Sequence, residues 1–227
     1  MTQEARYNTH FSRPEDVEEF VNVLERFERG ELNSEEFRTF RLTRGVYGQR
    51  QMDVNMLRVK FPSGIMSAAQ LRTAASVARE FTLHHKGHIT TRQNIQFHFV
   101  KLANMPEVMA RFDTTGATTR EACGNTVRNI TGCPFAGTSP TEAFDITPYN
   151  QALTRMCLRE AWANNLPRKF KMAFEGCTHE DHAQTAINDV GFRAKIKYAV
   201  PGFEVFLAAR LSTTPRPAYR LHDFIPA

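Results

Sequence analysis

Three segments of this chain are rich in arginine, lysine and amide side chains and contain no Asp or Glu. They are 90–99 (TTRQNIQFHF), 123–134 (CGNTVRNITGCP) and 166–171 (LPRKFK). A fold that brings such segments together creates a surface with many hydrogen-bond donors and no carboxylate of its own to neutralise them. The sequence therefore predicts a chain that folds around something strongly anionic.

The net charge of +5 is unevenly distributed along the chain. Residues 1–40 carry ten acidic and five basic side chains, whereas residues 41–227 carry 14 acidic and 24 basic ones. Such an excess is compatible with a solvated surface, with an anionic ligand or cofactor, or with nucleic acid. The positions of the arginines must distinguish these three alternatives. No apolar run approaches a membrane span and no signal-peptide core is present, so we expect a cytoplasmic protein without a membrane partner.

The four cysteines form no close pair of the kind that holds zinc or an iron–sulfur cluster. We expect Cys123, Cys133, Cys157 and Cys177 to be reduced thiols in a cytosolic protein. The segment 177–182 (CTHEDH) carries closely spaced metal donors, but no second ligand group has matching spacing. The prediction for this segment is a solvated connection with no metal site.

Hydrophobic periodicity predicts an α+β protein of 227 residues, enough for one large or two small domains. We expect helices over about 14–30 with Ser12 as a possible cap, 34–41, 67–84, 105–112 and 149–164. We expect strands over 56–61, 95–100, 169–174, 191–198 and 203–207, with Gly202 in the turn before the last. The order of elements indicates an α/β sandwich with helices on one face of a mostly antiparallel sheet and functional side chains on the other.

Six short motifs follow one another in an order that is specific to one protein family. They are MLRVKFPSG (56–64), TTRQNIQFHF (90–99), GNTVRNITGCPFAGTSP (124–140), LPRKFK (166–171), NDVGF (188–192) and GFEVF (202–206). In this order the chain resembles the first half of the sirohaem-dependent nitrite and sulfite reductases, which contain two pseudo-symmetric halves. The resemblance implies an N-terminal helical extension over 1–45, a ferredoxin-like half domain over 46–115, and the first part of the sirohaem-binding domain over 116–227.

The resemblance also implies a bound sirohaem, with the substrate anion on its iron among four cationic side chains. Transferred by motif, these are Arg58, Arg128, Lys169 and Lys171. Oxyanion reduction removes oxygen as water, so the site must hold an anion and deliver protons. Arg58 and Arg128 suit anion binding because a guanidinium stays protonated near neutral pH, whereas a Lys crowded by cations has a lowered pKa and can donate a proton. The alternative for each of the four is an exposed strand cation.

Further residues match the family segments that contact the macrocycle. These are Thr90, Arg92, Gln96 and His98, together with Asn125, Thr126 and Asn129 near Arg128. Short polar side chains such as the last three can bind a cofactor carboxylate or cap their own loop, and both alternatives stay open. Lys171 stands where the assimilatory nitrite reductases of the family tend to have Asn, which favours sulfite over nitrite as the substrate.

Family members hold a 4Fe-4S cluster on two cysteine pairs in their second half, and no such pair occurs in this sequence. We therefore expect the chain to need a cluster-bearing second half or subunit and an electron donor such as ferredoxin or a flavoprotein. Whether the chain is an enzyme by itself stays open. Two alternatives are a non-catalytic tetrapyrrole binder and a basic interaction module. Few aromatic side chains alternate with the basic ones, which argues against nucleic acid as the partner.

Overall fold

The computed structural model describes residues 7–227, so the first six residues of the predicted N-terminal extension lie outside it. The α-helices are α1 (Pro14–Glu28), α2 (Ser34–Thr43), α3 (Ala68–Phe81), α4 (Met105–Asp113), α5 (Thr147–Cys157) and α6 (Ala161–Asn164). The strands are β1 (Val46–Gly48), β2 (Val54–Lys60), β3 (His88–Ile89), β4 (Asn94–Lys101), β5 (Thr131–Gly132), β6 (Met172–Glu175), β7 (Val190–Lys197), β8 (Val200–Leu207) and β9 (Tyr219–Pro226). Within 7–227, none of the helices combines the length and the hydropathy that crossing a bilayer requires.

The first sheet is antiparallel throughout, in the order β1-β2-β4-β3. Its inner face is apolar because alternate residues of β2 and β4 are apolar: Leu57 lies opposite Phe97 and is, like it, fully buried. Helices α1 to α4 cover this face with side chains such as Phe20, Val77 and Phe112. Complete burial of a side chain of this size contributes about 1.5–3 kcal/mol to stability. The cross-strand pair Arg58 and Gln96 lies on the opposite face.

Two helix starts have complete side-chain caps, at residues whose type favours the N-cap position. Asn33 caps α2 and Ser67 caps α3, each in a reciprocal capping box with the third helical residue. Ser12 is not the cap of α1, as its sequence position had suggested. Arg13 occupies the N-cap position, and the Ser12 hydroxyl instead donates to the carbonyl of Asp113 at 3.1 Å.

The second sheet is mixed, in the order β5-β6-β7-β8-β9. Strands β5, β6 and β7 are parallel, whereas β7, β8 and β9 are antiparallel. Its core is an aromatic cluster in which Phe203 contacts Tyr149, Phe174 and Phe192, with ring centroids 5.1, 5.5 and 6.0 Å away. The mostly antiparallel arrangement that the sequence predicted therefore holds for the first sheet and not for this one.

The predicted helix over 149–164 is broken into two. Helix α5 ends at Cys157, and Arg159 adopts a left-handed conformation with φ of 71°. This conformation lets the Arg159 N–H donate to Glu121 Oε1 at 2.8 Å, while its side chain pairs with Asp16. A tertiary ion pair therefore overrides the local helical preference, which periodicity does not reveal.

The turn between β7 and β8 lies at Tyr198 and Ala199, not at the predicted Gly202. Tyr198 and Ala199 have φ of 53° and 62°, as in the tight turns that match the twist of a hairpin. Gly202 lies inside β8, where a Cβ would collide with the Phe224 ring and lie 2.5 Å from the Ile225 carbonyl oxygen. Glycine is needed there because β9, a strand that the sequence analysis missed, packs closely against it.

Strand β4 breaks its alternation near its end. Phe99 adopts φ of 62° and lies next to the His84 ring, with centroids 5.4 Å apart. Val100 instead takes the fully buried position in the core. Strict alternation over 95–100 predicts Phe99 on the same face as Ile95 and Phe97. That prediction is wrong, because a local irregularity shifts the side-chain period by one residue.

Candidate functional site

A cleft of about 210 Å³ opens on the outer face of the first sheet, next to the segment that leads into β6. It is lined by Arg58, Thr90, Arg92, Asn94, Gln96, Arg128, Lys169 and Lys171. All four predicted catalytic residues and three of the seven predicted cofactor contacts are in this set. No carboxylate lines the cleft, and none of its five cations forms an ion pair with a carboxylate of residues 7–227.

Two guanidinium groups at one side of the cleft share a single acceptor. Arg58 Nη1 donates to the Ala122 carbonyl at 3.1 Å, and Arg128 Nε and Nη2 donate to the same oxygen at 3.1 and 2.7 Å. The Gln96 amide oxygen, in the orientation that the neighbouring donors require, accepts from Arg58 Nε at 2.9 Å. Burial lowers the pKa of Arg128, and the nearby Arg58 charge lowers it further. Both cations are therefore held in place by neutral acceptors and keep their charge uncompensated.

Arg92 connects the two sheets from a turn ahead of β4. Its Nη1 lies 3.4 Å from the Asn129 carbonyl and 3.5 Å from the Met172 carbonyl, and its Nη2 donates to Asn188 Oδ1 at 2.6 Å. The Thr90 hydroxyl oxygen stabilises the turn by accepting from the Arg92 N–H at 3.3 Å. Burial lowers the pKa of Arg92 to about 10, and the charge of Arg128 acts in the same direction. Arg92 thus fixes the cleft's geometry as well as lining it.

The two lysines reach the cleft from a segment that is not part of a regular strand. Strand β6 begins at Met172, and Phe170 forms only an isolated bridge with Val127, so the predicted strand over 169–174 starts three residues too early. Lys169 is exposed and Lys171 is half-buried. Burial lowers the pKa of Lys171, and the charges of Arg92 and Lys169 add to this effect against an opposing contribution from Asp189. A lysine that loses its proton more readily is suited to donating one to a bound anion.

His98 does not line this cleft. It lies in a neighbouring cavity of about 520 Å³ with His84 and His88, and its ring centroid is 6.0 Å from that of His88. Burial lowers the pKa of His98, and the charges of His88 and Arg58 lower it further. His98 is therefore held close to its neutral form beside the cationic site.

Asn125, Thr126 and Asn129 are also outside the cleft lining. Asn125 is exposed, and the Thr126 hydroxyl donates to the carbonyls of Glu121 and Cys123 at 3.0 and 3.2 Å. The buried Asn129 Nδ2 lies 3.0 Å from each of three carbonyl oxygens, those of Phe61, Arg92 and Gln93. The bonds of Thr126 favour the loop-capping alternative for that residue, whereas those of Asn129 tie its loop to two other segments.

Several residues that shape the site were not predicted from the sequence. Gln93 joins the two sheets, donating from Nε2 to the Gly132 carbonyl at 2.7 Å and accepting the Gly132 N–H at 3.0 Å. Asn188 and Asp189 hold Arg92 and the Lys171 N–H at 2.6 and 2.8 Å. The only sequence signal for this pair was its place in the NDVGF motif, to which no role had been assigned.

Alternation within 56–61 predicts that Lys60 shares with Arg58 the face opposite Leu57 and Val59. Lys60 is instead almost completely buried, 3% exposed. Its Nζ lies 3.5 Å from the Val127 carbonyl and 4.0 Å from Glu121 Oε2. Burial lowers the pKa of Lys60 to about 8 despite the opposing effect of Glu121. Residues 116–130 cover the end of β2. The alternation of residues within β2 cannot predict this contact with a later segment.

Two family models match the chain. One is described as the nitrite/sulfite reductase ferredoxin-like half domain and matches residues 47–114, and the other as the nitrite and sulphite reductase 4Fe-4S domain and matches residues 123–227. Together with the two sheets and their helices, the first match confirms the predicted α+β class with a ferredoxin-like half domain.

Curated relatives cover the same part of the chain. An assimilatory ferredoxin-dependent nitrite reductase of Haloferax mediterranei is 34% identical over 197 residues, which is 80% of this chain and 33% of that protein. A sulfite reductase [ferredoxin] of Mycobacterium tuberculosis is 36% identical over 172 residues, 75% of this chain and 30% of that protein. The chain thus spans about a third of the length of the curated relatives it matches.

Solved structures show the same likeness. The Mycobacterium tuberculosis NirA protein superposes with a TM-score of 0.78 at 29% identity, over 93% of this chain and 44% of the other. A dissimilatory sulfite reductase I superposes with a TM-score of 0.61 at 11% identity, which shows a shared fold only.

Proposed function

Because the chain belongs to the nitrite and sulfite reductase family, we propose that it forms the anion- and sirohaem-binding side of a sirohaem-dependent reductase. The observation that carries this proposal is the cleft with five cations and no carboxylate. Five like charges in a small volume repel one another, and only a multiply anionic group can offset that repulsion. The carboxylates of sirohaem and an oxyanion substrate together match this set of donors.

Each cation has a role that follows from its own chemistry. Arg58 and Arg128 hold the anion through planar forks that cannot lose a proton near neutral pH. Lys169 and Lys171 bind the anion as point charges, and Lys171, with its lowered pKa, donates protons as oxygen leaves as water. When bound, sirohaem would supply the iron at which the six-electron reduction of the oxyanion takes place. Lys171 favours sulfite over nitrite as the substrate.

We assign the cofactor carboxylates to Arg92 and Thr90, with Gln96 orienting Arg58. Contacts from His98 and Asn125 would have to come from outside the cleft, and Thr126 and Asn129 act by shaping the loop that carries Arg128. The four cysteines have no pair with cluster spacing. We therefore propose that a cluster-bearing second half or subunit completes the reductase, with ferredoxin as the electron donor because relatives are described as ferredoxin-dependent.

The test is to express this chain with sirohaem synthesis switched on, alone and together with a cluster-bearing half, and to extract and identify any tetrapyrrole under anaerobic conditions. We expect sirohaem in the joint preparation and its loss in Arg128→Ala. The matched control is Arg168→Ala, which removes an exposed arginine that does not line the cleft. Sirohaem in neither preparation would overturn the proposal. Sirohaem without sulfite or nitrite turnover would establish the non-catalytic tetrapyrrole binder in its place.

A further inference from the structure

Four side chains with metal-binding atoms meet at the end of the second sheet that carries the C-termini of β5 and β6. Cys133 follows β5, Glu175 ends β6, and Cys177 and His182 lie in the segment that follows. The parallel pairing of β5 with β6 brings these residues together, and the Cys133 N–H donates to the Phe174 carbonyl at 2.9 Å. All four ligand atoms lie within 4.8 Å of one another. Only Cys177 and His182 belonged to the segment that the sequence had singled out.

The distances match those of a tetrahedral metal site. The two sulfur atoms are 3.8 Å apart, Cys133 Sγ is 3.7 Å from His182 Nδ1, and His182 Nδ1 is 3.8 Å from Glu175 Oε1. A zinc ion with bonds of about 2.3 Å to sulfur and about 2.0 Å to nitrogen places its ligands roughly 3.8 Å (S–S) and roughly 3.6 Å (S–N) apart. The S–S pair and the S–N pair therefore already have nearly the spacing that zinc imposes, and the carboxylate oxygen of Glu175 has to move closer by a few tenths of an ångström.

We propose that Cys133, Glu175, Cys177 and His182 bind a single divalent transition-metal ion, with zinc as the preferred ion. Two thiolates, one imidazole and one carboxylate form a ligand set that zinc accepts. All four positions are filled by protein, which is typical of a structural site and leaves no position open for a substrate. This site is separate from the proposed substrate site, because none of its ligands lines the cationic cleft.

The groups around the four ligands are arranged as in known metal sites. His182 Nε2 lies 2.7 Å from the carboxylate of Glu180, so that nitrogen carries the proton and Nδ1 presents its lone pair to the cluster. Glu175 accepts the N–H groups of Cys177 and Ala183 at 2.8 Å each, which fixes the carboxylate. The Phe135 ring packs edge-on against the imidazole, with centroids 4.8 Å apart.

The burial of the cluster also argues for a cation. Glu175 is 0% exposed, and the two cysteines are 2% and 4% exposed. Among residues 7–227, no Lys or Arg pairs with the Glu175 carboxylate, and besides its two backbone N–H donors the one basic side chain within 4.0 Å is His182. A buried carboxylate needs a compensating charge or a full set of hydrogen bonds. A divalent ion supplies that charge, whereas a disulfide between Cys133 and Cys177 would need the sulfurs at about 2.05 Å and would leave the carboxylate without a cation.

A metal here would fix the loop that borders the cationic cleft. The segment 176–189 contains two of the ligands near its start and middle and ends with Asn188 and Asp189. Those two residues bind Arg92 and the Lys171 N–H. We therefore expect the ion to order this segment and, through it, two of the cleft's cations.

The first test is metal analysis of the purified chain, followed by titration of the chelator-treated chain with Co²⁺. We expect about one zinc per chain, and for Co²⁺ the thiolate charge-transfer and tetrahedral ligand-field absorption, abolished by adding Zn²⁺. Absence of the cobalt bands would overturn the proposal. So would acid-labile sulfide in proportion to iron, which would indicate a cluster, or the loss of two titratable thiols in the denatured unreduced chain, which would indicate a disulfide.

Substitutions of single residues test whether the ion binds at these four side chains. Cys177→Ser should abolish the cobalt charge-transfer band or shift it strongly, whereas Cys157→Ser, which removes a buried thiol outside the cluster, should leave it unchanged. Because Cys177→Ser can also impair folding, the surface change Glu180→Gln is a second test, with an expected loss of about 10- to 100-fold in zinc affinity. His179→Ala is its control in the same segment. Unchanged affinity in Glu180→Gln together with an unchanged spectrum in Cys177→Ser would place the ion elsewhere and overturn the proposal.

Discussion

At the scale of single residues, the proposed function assigns anion binding and proton transfer to different side chains of the cleft. Lys171→Arg keeps the positive charge and replaces a group that can release a proton with one that cannot. In a reductase completed by its cluster-bearing half, we expect kcat to fall by about 10²- to 10⁴-fold, the usual contribution of a general acid, with a much smaller change in KM. Steady-state kinetics with sulfite measures both. Arg168→Lys is the control, and a kcat within twofold of the unchanged protein would contradict the assignment.

The buried Lys60 makes a prediction about stability and pH. Its pKa is lowered to about 8 in the folded chain, against an ordinary lysine value of 10.5 in the unfolded chain. Between these values the unfolded chain binds more protons, so the free energy of unfolding rises with pH. Below about pH 8 both states are protonated at Lys60, the full cost of burying the ammonium is present, and its contribution no longer changes with pH. Relative to Lys60→Met, the unchanged chain should gain about 2 kcal/mol between pH 7 and pH 9.5.

Urea unfolding of both proteins at several pH values measures this gain. Lys86→Met removes an exposed lysine and should leave the slope with pH unchanged. Parallel pH profiles for the chain with and without Lys60 would show that its ammonium is not destabilised by burial, and would contradict the prediction.

Residue identity and order were enough to predict most of the cleft but not its surroundings. Arg58, Arg128, Lys169 and Lys171 came from motifs, and the structure brings them into one cleft. The burial of Lys60 by residues 116–130 and the approach of Cys133 to Cys177 arise from contacts between distant segments. Such contacts cannot be predicted from the residue pattern of one strand or one loop.

At the scale of elements, a turn joins the two sheets. Gln93 makes both of its amide hydrogen bonds to the backbone of Gly132 in β5. Gln93→Ala leaves a buried N–H and carbonyl without partners, which costs about 1–3 kcal/mol. We expect that loss in urea unfolding, with faster amide exchange in β5. Thr91→Ala, an exposed change in the same turn, is the control. A loss no larger than that of Thr91→Ala would show that Gln93 is not needed to join the sheets.

Elements were predictable where their signals are local. The starts of α2 and α3 follow from Asn33 and Ser67, because a capping box is complete within four residues. Strand β9 was missed because nearly all of its residues are exposed and leave no core-facing pattern. The break after α5 was missed because the ion pair of Arg159 with Asp16 spans 143 positions. Gly202 was predicted to lie in a turn because its close contact with β9 cannot be read from the residues around it.

At the scale of the whole molecule, acidic side chains of α1 form ion pairs with arginines outside the cleft and with none of the cations that line it. Asp16 on α1 pairs with Arg120 and Arg159, and Glu19 pairs with Arg44 and Arg120. The cations of the cleft have no such partner among residues 7–227. Five positive charges without an ion-pair partner among these residues thus meet at the place where the proposed ligand binds.

This arrangement predicts that small anions stabilise the folded chain specifically. A ligand present at 100 times its Kd adds about 2.7 kcal/mol to the free energy of unfolding. We expect sulfite to raise the unfolding temperature more than chloride at equal ionic strength. In Arg128→Gln most of that difference should disappear, whereas in Arg168→Gln it should persist. Thermal unfolding at several sulfite concentrations measures the effect. Equal responses in both variants would mean that the anion acts on the surface as a whole, because simple screening does not depend on which arginine is removed.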